Sequence, residues 1–304
     1  MKKIIVTTSI NHPTKAIRKF DKMKDWLLIV VTDKKTPKNF KINNGLILTP
    51  NDQKKIDIKL SNIIGWNCIE RRNFGLIMAK KLNADIIALV DDDNIPYSNW
   101  GKNLLINRRV KINNYKINIE AFDPVFHAGY KYLWHRGFPL NLLDKRKLTI
   151  PYKKLMNVKV QADFWDQDPD IDAICRMIYS PNCKFKKKYF PFTSNKISPF
   201  NSQNTFLSTD ILKDYFLFPD QGRMHDIWAS YYLQYKRGIN PVYCKPSVYQ
   251  ERNKHNLIDD LKAEIAGIKY SYSIINSMNK KKFFMRDFFS KRAVAAFNLY
   301  RKHF

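Results

Sequence analysis

Several features that would assign this chain to a common class are scarce or missing. The four cysteines (Cys68, Cys175, Cys183 and Cys244) have no CxxC or CxxH spacing, which argues against a zinc site and indicates free thiols in a reducing compartment. No run of 18 apolar residues occurs, and the short apolar run at residues 4–6 predicts a first strand instead of a signal peptide. We therefore expect a cytoplasmic protein, either free or peripheral on the inner face of a membrane.

The composition is that of a globular protein with a large excess of positive charge. Hydrophobic residues make up 44% of the 304 residues and aromatic residues 14%, enough for one large α/β domain or two small ones. The formal net charge of +27 is carried mostly by lysines scattered among asparagines and isoleucines. No nucleic-acid-binding motif is present, so nucleic acid is a weaker candidate partner than a diphosphate, an anionic membrane surface or an anionic glycan.

The first hundred residues alternate between strand and helix patterns. Strands are predicted at residues 3–8, 27–32, 46–48 and 86–90, and helices at residues 14–24 and 68–82. This order predicts a parallel sheet whose strand ends open onto one edge. The polar residues expected to meet at that edge are Thr7, Thr8, Asn11, Asp33 and Asp91. Each is also a common loop or cap residue.

Three consecutive carboxylates, Asp91, Asp92 and Asp93, end the fourth predicted strand. Ligands bind at such strand ends in open α/β sheets. Carboxylates placed one residue apart, as Asp91 and Asp93 are, can hold a hard divalent cation, and the cation can hold a diphosphate. The alternative is an acidic turn that caps the next helix. About eighteen residues earlier, Arg72 and Asn73 lie on the helix that leads into this strand, where an arginine can pair with phosphate or form a solvated basic helix end.

These motifs carry a resemblance to a known fold. The segment RRNFGLIMAKKLNADIIALVDDDN resembles the Arg-Asn-x-Gly helix and Asp-x-Asp strand of glycosyltransferases with the GT-A fold. The motifs WNCIERRNFG, LWHRGFPL, DQDPDIDAI, PFNSQNT, HDIW and ERNKHNL, in this order, together resemble the STELLO-type glycosyltransferases. A weaker likeness is to the reversibly glycosylated polypeptides, which include UDP-arabinopyranose mutases. The resemblance runs from about residue 4 to about residue 268.

The resemblance implies an α/β fold of the GT-A type, with a mostly parallel central sheet and helices on both faces. It also implies a donor that is a nucleotide diphospho-sugar, with UDP favoured, and a Mn²⁺ or Mg²⁺ cofactor. The candidate donor-binding residues are Thr7, Thr8, Asn11, Asp33, Arg72, Asn73, Asp91, Asp92, Arg252 and Lys254. The candidate metal ligands are Asp91, Asp93 and His255, because a neutral imidazole suits manganese.

Two residues are candidates for catalysis. Arg136 lies in a predicted tight turn and matches the arginine of the mutase-like family's Arg-Gly-Tyr-Pro motif, which can become glycosylated; the alternative is an ion pair with a core carboxylate such as Asp123. Asp226 precedes a helical run at residues 227–236, where it would cap the helix. The resemblance implies instead that Asp226 is the general base on the acceptor hydroxyl, with a modestly raised pKa, or that it positions the acceptor in a retaining enzyme.

A second set of polar residues is suited to a sugar or an acceptor. Carboxylates alternate at Asp166, Asp168, Asp170 and Asp172, but Pro169 and the missing glycine exclude an EF-hand. Ionised carboxylates accept hydrogen bonds from sugar hydroxyls, although Asp170 or Asp172 would also suit a helix N-terminus. The candidate sugar- and acceptor-binding residues are Asp168, Asp170, Asn201, Gln203, His225 and Trp228.

The sequence predicts a catalytic domain at residues 1–275 and a basic, aromatic helical tail at residues 276–304. Residues 1–100 would form its nucleotide-binding half and residues 101–275 its sugar and acceptor half. The cations and phenylalanines of residues 280–304 fit either a membrane interface or docking on the domain. We expect a glycosyltransferase that acts on a glycan or glycolipid acceptor. The alternatives are a nucleotide-sugar pyranose–furanose mutase and a non-catalytic protein that binds anionic glycan or nucleic acid.

Overall fold

The computed structural model describes residues 1–251 and 256–304, apart from the side chain of Lys187. The strands in these residues are β1 (Lys3–Ser9), β2 (Leu27–Thr32), β3 (Gly45–Leu48), β4 (Ile86–Val90), β5 (Asn94–Pro96), β6 (Arg109–Tyr115), β7 (Tyr152–Asn157), β8 (Val160–Asp166), β9 (Phe192–Ser194), β10 (Asn204–Ser208) and β11 (Val242–Gln250). The helices are α1 (Lys15–Asp21), α2 (Pro50–Ile56), α3 (Ile58–Ile64), α4 (Arg72–Lys81), α5 (Pro124–His127), α6 (Ala173–Ile178), α7 (His225–Arg237), α8 (Leu257–Asn279) and α9 (Lys291–Tyr300).

Local sequence explains where these elements begin and end. All five residues of β4 are apolar and buried, which suits a central strand covered on both faces. Helix α2 begins after Thr49, whose side chain accepts a hydrogen bond from Asp52 N while Asp52 bonds back to the Thr49 backbone. Helix α1 is shorter than predicted and ends at Asp21. The helix predicted at residues 68–82 begins instead as a 3-10 turn, Ile69–Arg71, before α4.

The described strands form one sheet in the order β3-β2-β1-β4-β10-β8-β11-β9-β6-β7, with β5 paired to β11. Strands β1 to β4 are parallel, and their order 3-2-1-4 is that of a nucleotide-binding α/β half. The predicted α/β fold with one large central sheet is confirmed. The expected parallel character holds for this half, whereas the second half mixes parallel and antiparallel pairs.

Helices cover both faces of the sheet. A Cβ on Gly75 of α4 would lie 2.4 Å from Val6 Cγ1, so α4 packs directly on the face that carries Val6. Residues next to each other along a strand point to opposite faces, so Ile5, its partner Ala88 in β4 and the partner of Ala88 in β10, Phe206, face the other way. There the Trp100 ring lies 5.1 Å from Phe206 and 4.9 Å from Phe20 of α1.

Strand β10 runs antiparallel between β4 and β8 and joins the two halves of the sheet. Its first residue, Asn204, lies opposite Val90, the last residue of β4. The segment before β10 therefore reaches the carboxyl end of β4, where Gln203 O accepts a hydrogen bond from Asp91 N at 3.2 Å. This direction brings the PFNSQNT motif to the acidic strand end.

The C-terminal segment packs against the rest of the molecule. Helix α8 continues across residue 275, and α9 follows it. The side chains of Phe289 and Phe297 are buried, and their rings lie 4.3 Å and 5.3 Å from Phe218. Arg292 donates to the carbonyls of Ile63 and Ile64 at the end of α3. For these phenylalanines the structure thus shows docking on the domain. In the described part of the chain, no helix is both long enough and apolar enough to cross a membrane.

Candidate functional site

The three carboxylates after β4 meet three different surroundings. Asp91 Oδ1 lies 2.7 Å from Arg72 Nη2. Asp92 Oδ2 accepts a hydrogen bond from Ser9 Oγ at 2.6 Å, and Asp93 Oδ2 accepts one from Gln250 Nε2 at 3.2 Å. Each carboxylate therefore contacts a different element: Asp91 contacts the start of α4, Asp92 the end of β1, and Asp93 the end of β11.

A pocket of about 300 Å³ opens beside Asp92 at the carboxyl ends of β1 and β2. Thr8, Asn11, Asp33, Arg71 and Asp92 are among its lining residues, so four predicted donor-binding residues share one pocket. Burial raises the pKa of Asp92, although the hydrogen bond from Ser9 opposes the shift. The volume is within the range of small-molecule sites.

Asp33 lines this pocket, and hydrogen bonds hold its carboxylate in a fixed orientation. Its Oδ1 accepts a hydrogen bond from Lys34 N at 2.6 Å, and its Oδ2 accepts one from Asn67 N at 2.7 Å. Arg71 lies over the Trp66 ring at 3.8 Å, and burial lowers its pKa to about 10. These contacts order the loop before α4 around the pocket.

Arg72 is buried and bonds to three separate segments of the chain, so it does not form the solvated basic helix end that was the alternative. Its Nη1 donates to Ser202 O at 2.7 Å and to Ser202 Oγ at 2.9 Å. Its Nη2 donates to Asp91 at 2.7 Å and to Thr8 Oγ1 at 3.2 Å. The planar fork of donors therefore joins the ends of β1 and β4 to the segment before β10.

Two predicted donor-binding residues point elsewhere. Asn73 donates to Leu217 O at 2.9 Å and accepts from Leu217 N at 3.0 Å, so both ends of its amide hold a backbone segment. Thr7 is fully buried within β1, and its hydroxyl donates to Thr8 O. Strand alternation explains this correction, because Thr8, one residue later, faces the pocket.

The residues at the strand end can supply oxygen ligands to a cation. Asp91 and Asp93 contribute carboxylates, and the buried Gln250 Oε1 has no hydrogen-bond partner among the described residues. Oxygen donors of this kind suit Mg²⁺ or Mn²⁺. Within residues 1–251 and 256–304, however, no three His, Cys, Asp or Glu side chains are placed to hold a metal. Arg252, Lys254 and His255 lie outside the described residues.

Arg136 is the centre of a second, buried cluster. Its Nε and Nη2 donate to the two oxygens of Asp170 at 2.7 and 2.8 Å, and its Nη1 donates to Asp226 Oδ1 at 3.2 Å. Nη1 also donates to Arg223 O. The core carboxylate considered as its partner, Asp123, pairs with Arg146 at 2.7 Å instead. Since Arg136 is 4% exposed and fully engaged, it is not presented as a site for glycosylation in this structure.

The pKa of Asp226 is lowered by its surroundings, in contrast to the modest rise that was expected. Asp226 lies in the first turn of α7, after the N-cap residue Met224, and is itself not the cap. Burial would raise its pKa, but Arg136 and His225 outweigh burial and hold the pKa at about 2. Asp226 is therefore an ionised partner in a buried ion pair. A carboxylate of this kind is a poor proton acceptor near neutrality.

Ser202 joins the two clusters. Its backbone N–H and its hydroxyl both donate to Asp226 Oδ2, at 3.0 and 3.2 Å, while its carbonyl and hydroxyl oxygens accept from Arg72. A continuous set of charged hydrogen bonds therefore runs from Asp91 through Arg72 and Ser202 to Asp226. Ionised partners strengthen such bonds.

The remaining predicted sugar and acceptor residues fall into two groups. Asn201 donates to Asp170 Oδ2 at 2.8 Å and to Gln203 Oε1 at 3.2 Å, and so both belong to the Arg136 cluster. His225 lies beside it, with Nε2 3.9 Å from Asp226. In contrast, Asp168 pairs with Arg176.

Trp228 lies apart from the cluster and is buried in the core. Its ring lies 5.5 Å from Phe289, and its Nε1 donates to Ser271 Oγ at 3.3 Å. Trp228 therefore packs α7 against the C-terminal segment and does not line the site.

Sequence reasoning missed several residues that organise the site. They are Ser9, Asn67, Arg71, Ser202 and Gln250. Ser202 stands between Asn201 and Gln203 in the PFNSQNT motif, and Ser9 ends β1, so both were in segments already singled out. Gln250 had no local signal, because its role depends on the return of β11 to the acidic strand end.

Two curated proteins are similar in sequence to part of the chain. No family model matches the chain. It is 22% identical over 184 residues to Probable glycosyltransferase STELLO2 of Arabidopsis thaliana, and 21% identical over 184 residues to STELLO1. Each alignment covers 57% of this chain and 24% of the relative, so the chain spans about a quarter of the curated relatives. The predicted resemblance to STELLO-type glycosyltransferases is confirmed.

A solved structure is similar in outline. It is glucosyl-3-phosphoglycerate synthase from Mycobacterium tuberculosis in complex with phosphoglyceric acid, with a TM-score of 0.36 and 8% identity. The match covers 92% of this chain and 79% of the other. With so low a TM-score, the fold class rests on the strand order described above.

Proposed function

We propose that this protein is a glycosyltransferase that moves a sugar from a nucleotide diphospho-sugar to a glycan or glycolipid acceptor. The observation that supports this most directly is the strand-end pocket. Thr8, Asn11, Asp33 and Asp92 line it, and Asp91 and Asp93 flank Asp92 at the end of β4. A nucleotide needs such a pocket, and its diphosphate needs positive charge beside it.

In this proposal the pocket beside Asp33 takes the nucleoside. Backbone N–H groups hold Asp33 in place, so its carboxylate is ordered before a ligand arrives. Arg72 orients Asp91, and Gln250 orients Asp93. Asp91, Asp93 and the amide oxygen of Gln250 would hold Mn²⁺ or Mg²⁺. The bound cation would supply positive charge against the leaving diphosphate.

The buried cluster is assigned a positioning role. Asp226 and Asp170 hold Arg136 from two sides, and Ser202 fixes Asp226 relative to Arg72. Because its pKa is about 2, Asp226 favours the second of the two roles considered for it, in which it orders the acceptor side without taking a proton. This role fits a retaining enzyme better than one that needs a strong base.

The C-terminal segment carries a strong positive charge. Exposed cations lie along the C-terminal segment at Lys280, Lys281, Lys282, Arg286, Lys291 and Lys302. Their side chains are exposed, so this segment presents a positively charged face to solvent. Such a face suits an anionic acceptor or an anionic membrane surface that presents the acceptor.

No observation favours the two alternatives. A mutase that uses Arg136 as its central residue needs a guanidinium that can reach the sugar, but Asp170, Asp226 and Arg223 O occupy its donors. A non-catalytic polymer-binding protein does not need an ordered pocket at the ends of β1 and β2. Product formation from nucleotide sugar without acceptor would distinguish the mutase.

Calorimetric titration with a panel of UDP-sugars tests the proposal. Wild type, Asp93→Asn and Asp85→Asn are each titrated with Mn²⁺ and with EDTA. Asp85 stands before the opposite end of β4 and is exposed, so Asp85→Asn is a matched control for the loss of one carboxylate. We expect wild type and Asp85→Asn to bind one UDP-sugar in a metal-dependent way.

Asp93→Asn should weaken that binding about tenfold or more, because a neutral amide is a poorer ligand for a hard cation. Equal binding by Asp93→Asn and wild type would contradict the assignment of the metal site. No binding of any UDP-sugar by wild type would contradict the donor assignment itself.

A further inference from the structure

A second pocket lies away from the strand-end site and shares none of its described lining residues. Its volume is about 480 Å³, within the range of small-molecule sites. The loop after β6, helix α5 and residues 144–149 form its walls. Its lining combines apolar side chains, such as Ile117 and Ile119, with charged and polar groups.

His127 is one of the lining residues, and its ring has an unused hydrogen-bond acceptor. The ring is 4% exposed and stacks on Phe122 with 4.3 Å between ring centres. Its Nδ1 lies 3.0 Å from Asp123 O, and because a carbonyl oxygen can only accept, Nδ1 carries the proton. Burial lowers the pKa of His127, which favours the neutral ring. Nε2 then offers a lone pair and has no partner among the described residues.

A second polar atom in the lining has no partner in the described part of the chain. Thr149 Oγ1 is buried, and a hydroxyl can both donate and accept. Thr149 and His127 line the same pocket. Buried polar groups are normally paired, so two such groups in one pocket favour a ligand that carries hydroxyls.

The charges of the lining favour an anion. Four cations line the pocket (Lys116, Lys145, Arg146 and Lys147) against two carboxylates (Asp123 and Asp144). Arg146 is held at 2.7 Å by Asp123, which neutralises the buried carboxylate. The three lysines are exposed and free to turn towards a ligand. An anionic group at the rim would meet these ammonium groups.

We propose that this pocket binds an anionic sugar, namely a sugar phosphate or a uronate. A hydroxyl of the sugar would donate to His127 Nε2, and the phosphate or carboxylate would lie among Lys116, Lys145 and Lys147. Both ligands combine hydroxyls with one anionic group. The site is separate from the donor pocket and does not depend on the proposed function.

The test is calorimetric titration of the full-length chain with glucose 6-phosphate, glucuronate and neutral glucose. We expect one or both anions to bind at least tenfold more tightly than glucose, and the tighter of the two identifies the anionic group. His127→Phe keeps an aromatic ring but removes both the Nε2 acceptor and the Nδ1–H that donates to Asp123 O, and should raise the Kd of that anion about tenfold. A shift of the His127 Nε2 resonance on binding, absent in the variant, should accompany this.

If His127→Phe does not fold, a double substitution on the surface tests the same proposal. Lys145→Gln/Lys147→Gln should also weaken the anion about tenfold or more, because two charges at the rim are lost. The matched control is Lys153→Gln/Lys154→Gln, which removes two exposed charges from β7 outside the pocket. Its Kd should stay within twofold of wild type.

Four results would each overturn the proposal. The first is glucose binding as tightly as the two anions, and the second is no binding of either anion. The third is equal loss of affinity in the Lys145→Gln/Lys147→Gln variant and its control. The fourth is displacement of the anion by UDP, because that would place it in the strand-end pocket.

Discussion

We predict that ionised Asp226, which is paired with Arg136, stabilises the folded state in a pH-dependent way. The pKa of Asp226 falls from 3.8 to about 2 on folding. Since one pKa unit corresponds to about 1.4 kcal/mol, ionised Asp226 should stabilise the folded state by roughly 2 kcal/mol at pH 7. Because the folded-state pKa is the lower one, this contribution is present above pH 4 and is lost as the pH falls towards 2. At pH 3 about half of it should remain.

Substitution of Asp226 by asparagine removes the charge while leaving Arg136 paired with Asp170. We expect a loss of about 2 to 3 kcal/mol in the free energy of unfolding at pH 7, measured by urea denaturation followed by circular dichroism. The difference from wild type should shrink to about half at pH 3. Asp259→Asn, which breaks an exposed pair with Lys262, is the control and should cost under about 1 kcal/mol. A difference that grows as the pH falls would refute the reasoning.

Two further predictions concern the core. Burial raises the pKa of Asp163 from 3.8 to about 6, so wild type should lose up to about 3 kcal/mol as the pH rises from 4 to above 6. Asp163→Asn should remove this share of the slope in urea denaturation, whereas the share of Asp172, whose pKa burial also raises to about 6, should remain. A slope equal to that of wild type would contradict the shift of Asp163. In α4, Gly75→Ala would place a Cβ 2.4 Å from Val6 Cγ1 and should destabilise the fold by about 1 to 3 kcal/mol, despite the better helix propensity of alanine. Exposed Lys80→Ala in the same helix should change the stability by under about 0.5 kcal/mol.

The nucleotide-binding half could be predicted from sequence because its signals are local. The apolar run of β4 and the carboxylates after it are adjacent in the chain, and parallel strands must end at one edge. Thr8, Asn11, Asp33 and Asp92 therefore meet at one pocket as expected. The error at Thr7 came from strand phase, which a short polar run does not fix.

The second half depends on contacts between distant residues, so its details could not be predicted. Arg136 was correctly considered as a partner of a buried carboxylate, but its partners lie 34 and 90 residues away, at Asp170 and Asp226. The direction of the Asp226 pKa shift follows from that contact alone. No pattern near Asp226 could have shown whether burial or Arg136 would dominate.

The docking of the C-terminal segment has a consequence for synthesis of the chain on the ribosome. Arg292 bonds to carbonyls of Ile63 and Ile64, which lie 229 and 228 residues earlier. Phe218 is likewise synthesised before Phe289 and Phe297, which pack against it in the folded protein. The amino-terminal half therefore leaves the ribosome long before the C-terminal residues that cover it. Until those residues are synthesised, the apolar surface that they cover is exposed to solvent. Since translation proceeds at roughly 5–20 residues per second, this interval lasts on the order of ten seconds or more. Chaperone dependence should concentrate in that interval.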